Sequence, residues 1–267
     1  MPVSIGRHVI RHKGVTMNLM VPTPNIPRRA VILAYGLPGA PLTYSDSAVL
    51  KLAEAGFIVV LPQYLGTFDS YGRCTIENSV DTLLYTIEIL RRGKASDLYD
   101  LSTVRWRARS VSLVGGSFGG SVVLVAGAKS GQVRNIVAMA PPVDYRTYAK
   151  DPEHEEEGFG EDKAIMRRAQ PFTWRFSSDG TWKKAISGNI DLNAVDYIPQ
   201  LRKRRTLLIH GWKDKSVSAE KTVSFHKLLG ASRDHKLLIL KRHGHFGLSA
   251  LHNPRVFKEV VRWLKNC

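Results

Sequence analysis

Cysteine is almost absent from the sequence, which contains only Cys74 and Cys267. Two cysteines cannot build the disulfide framework of a small secreted domain, and a reducing compartment fits this composition. Residues 1–14 carry five basic or histidine side chains and no apolar run of signal-peptide length. No later stretch stays apolar for the length that a membrane-spanning helix needs. We therefore expect a cytoplasmic protein without a membrane span.

Acidic residues are scarce relative to basic ones. The chain has 39 Lys and Arg against 23 Asp and Glu, a formal net charge of +16. Short basic clusters lie at residues 105–109 and 202–205, but no nucleic-acid-binding motif accompanies them. We predict a solvated basic surface and no specific nucleic-acid partner, with salt-dependent DNA binding as the alternative. Seven of the 23 acids fall within residues 151–162, which predicts an exposed acidic loop.

Internal repeats and low-complexity tracts are also lacking. A chain of 267 residues, 43% hydrophobic, is long enough for one sizeable core, so we predict a single domain over residues 1–267. The stretch from about 144 to 200 is rich in Glu, Arg and aromatic residues and has no strand period. We expect this stretch to form a cap inserted between two strands.

Short apolar strands alternate with amphipathic helices along the rest of the chain, a pattern typical of α/β proteins. Eight segments have strand character: Ile5–Arg11, Val15–Val21, Ala30–Tyr35, Phe57–Pro62, Ser110–Gly115, Asn135–Ala140, Thr206–His210 and Lys236–Leu240. The first two alternate in polarity around Gly14, as an antiparallel edge hairpin does, whereas later runs are continuously apolar and suit buried parallel strands. We predict a mostly parallel eight-stranded sheet with helices on both faces.

The most specific local signal is Gly115-Gly116-Ser117-Phe118-Gly119, which stands between a predicted strand and a predicted helix. In a nucleophile elbow, a serine turns sharply at this junction, and glycines flank it where a side chain would clash. A bare match of this pattern is common in glycine-rich turns, but the strand-turn-helix setting favours a nucleophile. We predict that Ser117 is that nucleophile.

An acid and a histidine follow the serine in the order that such a triad requires. Asp214 lies just past the strand that ends at His210, and His245 lies in the loop after the next strand. We predict that Asp214 orients His245 and that His245 acts as the general base. Three alternatives stay open: His243 as the base, Asp144 as the acid, and a buried structural role for His210.

Acyl transfer also needs donors for an oxyanion and a pocket for the acyl group. The small residues of Tyr35-Gly36-Leu37-Pro38-Gly39 can bring a backbone N–H over the elbow, and we predict the N–H groups of Leu37 and Phe118 as the two donors. Aromatic residues are the candidates for the pocket, although such residues are as often plain core. The predicted substrate-binding residues are Tyr64, Trp174 and Trp182.

Four motifs together resemble the catalytic domain of the prolyl-oligopeptidase-like branch of the α/β-hydrolases, which includes acylaminoacyl peptidases and dienelactone-hydrolase-like esterases. They span residues from about 35 to 246: Tyr35-Gly36-Leu37-Pro38-Gly39, Gln63-Tyr64-Leu65-Gly66 with Tyr71-Gly72, Gly115 to Gly120, and His210-Gly211…Asp214 with Gly244-His245-Phe246. Two positions depart from the family pattern. Tyr35 stands where the family usually has histidine, and Leu65 where it usually has a basic residue.

The resemblance implies an acyl-enzyme mechanism that uses Ser117, Asp214 and His245 without a metal or organic cofactor. The family's peptidases carry a long β-propeller, for which 267 residues leave no room, so we expect carboxylesterase activity. The expected substrate is a small-molecule ester or a short peptide. A small aminopeptidase or acylaminoacyl peptidase is the alternative, and a catalytically silent binding module is a third hypothesis.

Overall fold

The computed structural model describes residues 4–148, 173–176, 181, 184 and 187–266. Ten strands lie in the described ranges: β1 Ile5–His12, β2 Val15–Pro22, β3 Arg28–Ala34, β4 Ile58–Pro62, β5 Lys94–Ser96, β6 Thr103–Arg105, β7 Ala108–Gly116, β8 Val133–Met139, β9 Arg205–Gly211 and β10 His235–Leu240. Eight of them form one sheet in the order β1-β2-β4-β3-β7-β8-β9-β10. β5 and β6 form a separate two-stranded hairpin.

The sheet is antiparallel at one edge and parallel elsewhere. β1 pairs with β2 and β2 pairs with β4 in antiparallel register. From β4 through β3, β7, β8 and β9 to β10, every neighbouring pair is parallel. This arrangement confirms the predicted fold class, a mostly parallel eight-stranded α/β-hydrolase sheet, because all eight predicted strands are present within a few residues of their expected bounds.

Helices cover both faces of the sheet. The α-helices in the described ranges are α1 Ser47–Glu54, α2 Asn78–Arg92, α3 Phe118–Lys129, α4 Tyr145–Tyr148, α5 Ile198–Leu201, α6 Ala219–Leu229 and α7 Pro254–Lys265, with 3-10 helices at Ala194–Tyr197 and Leu248–His252. One face carries α2, α3, α5 and α6, and the other carries α1, α7 and the second 3-10 helix. None of the helices in the described ranges is long and apolar enough to cross a membrane.

The final helix begins where the sequence predicts. The side chain of Asn253 accepts hydrogen bonds from the backbone N–H groups of Arg255 at 3.0 Å and Val256 at 3.4 Å, which satisfies two of the N–H groups that a helix start leaves unpaired. Pro254 follows at the first helical position, where a missing N–H costs nothing. Cap and proline together fix the point at which α7 packs onto the sheet.

Helix α3 lies at the centre of the molecule. Its residues from Phe118 to Ala128 are all buried, against β7, β8 and α2. A helix that is apolar on every side belongs in a core rather than at a surface. The residue that precedes this helix, Ser117, is therefore held by a rigid element on either side.

Candidate active site

Ser117 stands at the junction between β7 and α3. Its backbone has φ 55° and ψ −127°, a conformation that non-glycine residues rarely adopt. Its N–H donates to the carbonyl oxygen of Met139 at 2.8 Å, which fastens the turn to the neighbouring strand β8. A strained serine between a strand and a helix is the geometry of a nucleophile elbow.

Close backbone contacts explain the glycines around the serine. A Cβ on Gly115 would lie 2.1 Å from the carbonyl oxygen of Gly119, and a Cβ on Gly119 would lie 2.2 Å from that of Ala34. A Cβ on Gly116 would lie 2.4 Å from the carbonyl carbon of Gly247. These distances are too short for any side chain, so each position requires glycine.

The three residues predicted as a triad meet at the ends of β7, β9 and β10. Nε2 of His245 lies 3.0 Å from Oγ of Ser117, and Nδ1 of His245 lies 2.8 Å from Oδ2 of Asp214. A proton on Nδ1, held by the carboxylate, leaves Nε2 free to accept the serine hydroxyl proton. The side chain of His245 is 29% exposed and that of Asp214 is fully buried, so the imidazole is open to solvent while the carboxylate is shielded.

The two competing residues lie elsewhere. The carboxylate of Asp144 accepts from Nε of Arg146 at 2.8 Å, and no hydrogen bond joins it to a histidine in the described part of the chain. His243 is exposed. Its hydrogen bonds to the described residues are made by its backbone, whose N–H donates to Leu240 and whose carbonyl oxygen accepts from Lys213. The geometry favours Asp214 and His245 over both.

Asp214 accepts four hydrogen bonds. Oδ1 accepts from the backbone N–H groups of Ser216 and Val217, both at 2.9 Å, and Oδ2 lies between His245 and His210. Burial by itself raises the pKa of Asp214, but the hydrogen bonds from the two histidines, the charge of His245 and the Val217 N–H outweigh it. The pKa of this carboxyl therefore lies well below its usual range, and Asp214 is ionised at neutral pH.

His210, for which the sequence leaves open a buried structural role, is a second histidine partner of Asp214. Its Nε2 lies 3.0 Å from both Oδ2 of Asp214 and the carbonyl oxygen of Val217, so Nε2 must carry the proton. Nδ1 then accepts from the hydroxyl of Thr222 at 2.8 Å. The side chain is indeed fully buried, but it is also the second donor to Asp214. The sequence gives no signal for this contact, because it depends on how the two side chains rotate at the end of β9.

The loop after β3 lies against the elbow. A Cβ on Gly36 would lie 3.2 Å from the Cβ and 3.7 Å from the Oγ of Ser117, so the backbone next to Leu37 passes directly beside the serine. Phe118 is the first residue of α3, and its N–H has no acceptor within the helix. Among the hydrogen bonds of the described residues, neither the Leu37 nor the Phe118 N–H has an acceptor. The helix start adds a partial positive charge at the same point.

The predicted substrate-binding aromatics lie beneath the serine. Tyr64 is 0% exposed and Trp174 2% exposed, and their rings lie 5.8 Å and 6.4 Å from the ring of Phe118. Both side chains are therefore buried and packed around Phe118 in the structure, and their role in substrate binding stays a prediction. Trp182, the third predicted residue, lies outside the described residues.

Tyr35, which replaces the family's usual histidine, belongs to the same aromatic group. Its hydroxyl lies 2.8 Å from Oγ1 of Thr67 and accepts from the N–H of Tyr64 at 3.1 Å. Burial raises the pKa of Tyr35 far above its usual range, so the phenol stays neutral. Tyr35 therefore braces the loop that carries Leu37 without adding a charge to the site.

Cys74 is another potential nucleophile in the described part of the chain. Burial raises the pKa of the Cys74 thiol to about 12, so Cys74 is not a competing nucleophile at neutral pH. No group of three or more His, Cys, Asp or Glu side chains among the described residues has the geometry to hold a metal ion.

Two family models match the sequence. The model of the prolyl oligopeptidase family matches residues 102–267, which include Ser117, Asp214 and His245. The chain belongs to the prolyl oligopeptidase family. The model of the X-Pro dipeptidyl-peptidase (S15) family matches residues 14–159. Membership of this family makes the chain a serine hydrolase family member, as the resemblance of its motifs predicts. Ester and peptide substrates are both compatible with that membership.

Solved structures share the fold of this prolyl oligopeptidase family member. An esterase from Pyrococcus furiosus has a TM-score of 0.68 at 16% identity, with 98% of this chain and 90% of that chain covered. An esterase from Thermogutta terrifontis has a TM-score of 0.61 at 18% identity, with 97% and 98% covered. An acylaminoacyl peptidase from Pyrococcus horikoshii has a TM-score of 0.67 at 15% identity, with 99% of this chain but 42% of that chain covered. No curated protein sequence matches significantly.

Proposed function

We propose that this protein is a serine carboxylesterase in which Ser117 is the nucleophile, His245 the general base and Asp214 the residue that orients the base. One observation carries the proposal: an unbroken chain of hydrogen bonds runs from Oγ of Ser117 through His245 to Oδ2 of Asp214. His245 takes the hydroxyl proton as Ser117 attacks the ester carbonyl, and then delivers that proton to the departing alcohol. A water molecule, activated by the same histidine, then attacks the acyl-enzyme, which releases the carboxylic acid product and regenerates Ser117.

The N–H groups of Leu37 and Phe118 bind the oxyanion of the tetrahedral intermediate in this proposal. Both lie next to Ser117, and in the described hydrogen bonds neither is used by the protein itself. Donors fixed in the backbone need no reorganisation when the charge develops, which makes them effective in stabilising a transition state.

The likeness to two solved esterases supports ester substrates in this proposal, because this chain and each esterase cover each other almost completely. We further propose one domain over residues 1–267, in which a cap of about residues 144–200 selects the substrate. Trp174, from this stretch, supports the proposal, because its Nε1 donates to the carbonyl oxygen of Gly39 at 3.0 Å, in the loop after β3 that carries Leu37.

The test is a comparison of wild type and Ser117→Ala on p-nitrophenyl esters of increasing acyl length and on aminoacyl and acylaminoacyl anilides. We expect hydrolysis of short-chain esters by wild type and loss of at least about a thousandfold in kcat for the variant. Turnover of anilides with a kcat/KM above that for esters would support the peptidase alternative. A folded wild type inactive on the whole panel would support the binding module.

A further inference from the structure

Seven large apolar side chains are exposed among the described residues, and three of them lie in the turn between β5 and β6. Leu98 is 38%, Tyr99 84% and Leu101 77% exposed. Single exposed apolar residues need no explanation, but three in a six-residue turn form a patch. We call Leu98, Tyr99 and Leu101 the apolar tip.

Hydrogen bonds hold the turn that carries the apolar tip against β1. Asp97, which is buried, accepts from Nδ1 of His8 on β1 at 2.8 Å and from the N–H of Tyr99 at 3.0 Å. The N–H of Leu98 donates to the carbonyl oxygen of Val9 on β1 at 2.7 Å. The tip is therefore fastened to the edge of the main sheet and stays exposed.

Leu101 is also strained. Its φ of 60° lies in the left-handed region, which disfavours a leucine relative to glycine or asparagine. Neither burial nor backbone preference accounts for leucine here, because the side chain faces water and the backbone would be more stable with asparagine. A strained, exposed apolar residue points to a use outside the fold.

A cationic groove adjoins the tip. It has a volume of about 410 Å³, is bordered by Leu98, and is lined by the basic side chains of Arg11, Arg92, Lys94 and Arg105. No carboxylate in the described residues pairs with Arg92, Lys94 or Arg105, and the guanidinium of Arg11 donates to neutral oxygens only.

Among the described residues, few carboxylates lie around the groove. Glu88 pairs with Lys13 at 2.6 Å and lies 3.3 Å from His12. The carboxylate of Asp97 is hydrogen-bonded to His8. Asp100, in the turn itself, is the exposed exception. The groove and the tip therefore form a surface with a strong excess of positive charge.

We propose that the apolar tip and the cationic groove bind the surface of an anionic lipid bilayer. Apolar side chains enter the boundary between head groups and acyl chains, tyrosine suits that boundary, and the basic residues contact anionic head groups. A nucleic acid would use the groove but has no use for Leu98 and Leu101, since its recognition relies on phosphate contacts and stacking. The three side chains of the apolar tip cover a smaller surface area than a stable protein–protein interface buries.

The experiment is sedimentation of the full chain with vesicles of phosphatidylcholine alone and of phosphatidylcholine with phosphatidylserine. We expect binding to the mixed vesicles only, and its loss at high salt because the ions screen the head groups. Two variants separate the contributions. Tyr99→Ser with Leu101→Asn removes the two most exposed side chains of the apolar tip and should weaken binding about tenfold or more, while asparagine relieves the strain and keeps the fold stable.

Lys94→Glu with Arg105→Glu reverses the groove. These residues face each other across the hairpin, so their mutual repulsion is the same in both forms and the hairpin is preserved. We expect a loss of binding of about thirtyfold or more. Lys227→Glu with Arg233→Glu makes the same change in charge at exposed positions beside the opposite part of the sheet and should leave binding nearly unchanged.

Three results would overturn the proposal. The first is equal loss in the groove variant and its matched control, which would mean that net charge alone matters. The second is binding to a short single-stranded DNA, lost in the groove variant, together with no binding to vesicles. The third is a dimer in lipid-free solution that the tip variant dissociates. Hydrolysis of soluble esters by all three variants should equal that of wild type, so the result does not depend on the proposed esterase activity.

Discussion

At the scale of single residues, the feature that determines the site is the carboxylate of Asp214, since it holds two histidines at once. His245 connects it to Ser117, and His210 connects it to Thr222 in the interior. A carboxylate with four donors is fixed in position, and its fixed position in turn sets the orientation of the imidazole that faces the serine. The buried histidine is thus a positioning residue for the acid.

His210→Phe tests this role. Phenylalanine keeps an aromatic ring at this position but removes the N–H that donates to Asp214 and the nitrogen that accepts from the Thr222 hydroxyl. We expect kcat/KM to fall about ten- to a hundredfold, since a small displacement of the acid misaligns the base. The free energy of unfolding should fall by about 1–3 kcal/mol, because buried polar groups lose partners. Ester kinetics and urea denaturation measure the two effects.

Thr222→Val is the matched control for that experiment. It removes the hydroxyl from Nδ1 of His210 but leaves the bond to Asp214, so both losses should be smaller. Wild-type kcat/KM in His210→Phe would show that His210 only fills space.

The low pKa of Asp214 predicts a dependence of stability on pH. A folded pKa below the unfolded value of about 3.9 means that the unfolded chain binds the proton first as pH falls. The stabilisation by ionised Asp214 is therefore present above about pH 4 and is lost progressively below it. Urea denaturation from pH 6 to pH 3 should show wild type approaching Asp214→Asn in stability. A constant difference between the two over this range would contradict the assignment.

At the scale of elements, the site depends on three strand ends and one loop that meet at glycines. Gly36→Ala should place a Cβ 3.2 Å from the Cβ of Ser117, where the neighbours must give by a few tenths of an ångström. We expect kcat/KM to fall about tenfold or more with little change in the free energy of unfolding, since a shift of the loop after β3 would misplace the proposed Leu37 donor.

Gly119→Ala should act differently, because its Cβ would lie 2.2 Å from the carbonyl oxygen of Ala34 in the sheet. We expect this variant to lose about 3 kcal/mol or more of stability, as overpacking of a rigid core does. Gly131→Ala, with no atom within 4 Å of the added Cβ, is the neutral control. Thermal unfolding and ester kinetics distinguish the three variants, and equal effects of Gly36→Ala and Gly119→Ala on stability would contradict this account.

The elements were more predictable from sequence than the contacts between side chains. Continuous apolar runs identify the parallel strands, because strands buried on both faces need apolar residues at every position. The β5-β6 hairpin is missed, since each strand is three residues long and its ends are exposed and polar. The burial of Tyr64 and Trp174 is missed for a different reason: an aromatic residue has the same sequence signature in a pocket and in a core.

The sequence predicts the site residues only where the ends of neighbouring strands bring them together. Parallel strands bring their carboxyl ends together, so the order Ser117, Asp214, His245 in the chain already predicts that these side chains meet. The contact of His210 with Asp214 depends instead on side-chain rotation at the end of β9, which no periodicity reports. Similarly, the sequence predicts that basic residues are exposed but not that four of them line one groove.

At the scale of the whole molecule, the proposed functions use different regions of the sheet. The residues of the proposed triad lie at the carboxyl ends of the parallel strands β7, β9 and β10. The proposed lipid-binding surface is built on the hairpin beside β1, at the antiparallel edge. Since the two share no residue, variants at one surface report on it separately from the other, and the net charge of +16 is tested apart from the chemistry.

The most direct test of the central claim is labelling of the folded protein with a fluorophosphonate probe, followed by mass mapping of the modified peptide. The account predicts one adduct per chain, located on Ser117, absent from Ser117→Ala and strongly slowed in His245→Ala. Labelling that persists in folded Ser117→Ala, or a folded wild type that does not react, would contradict the assignment of Ser117 as the nucleophile.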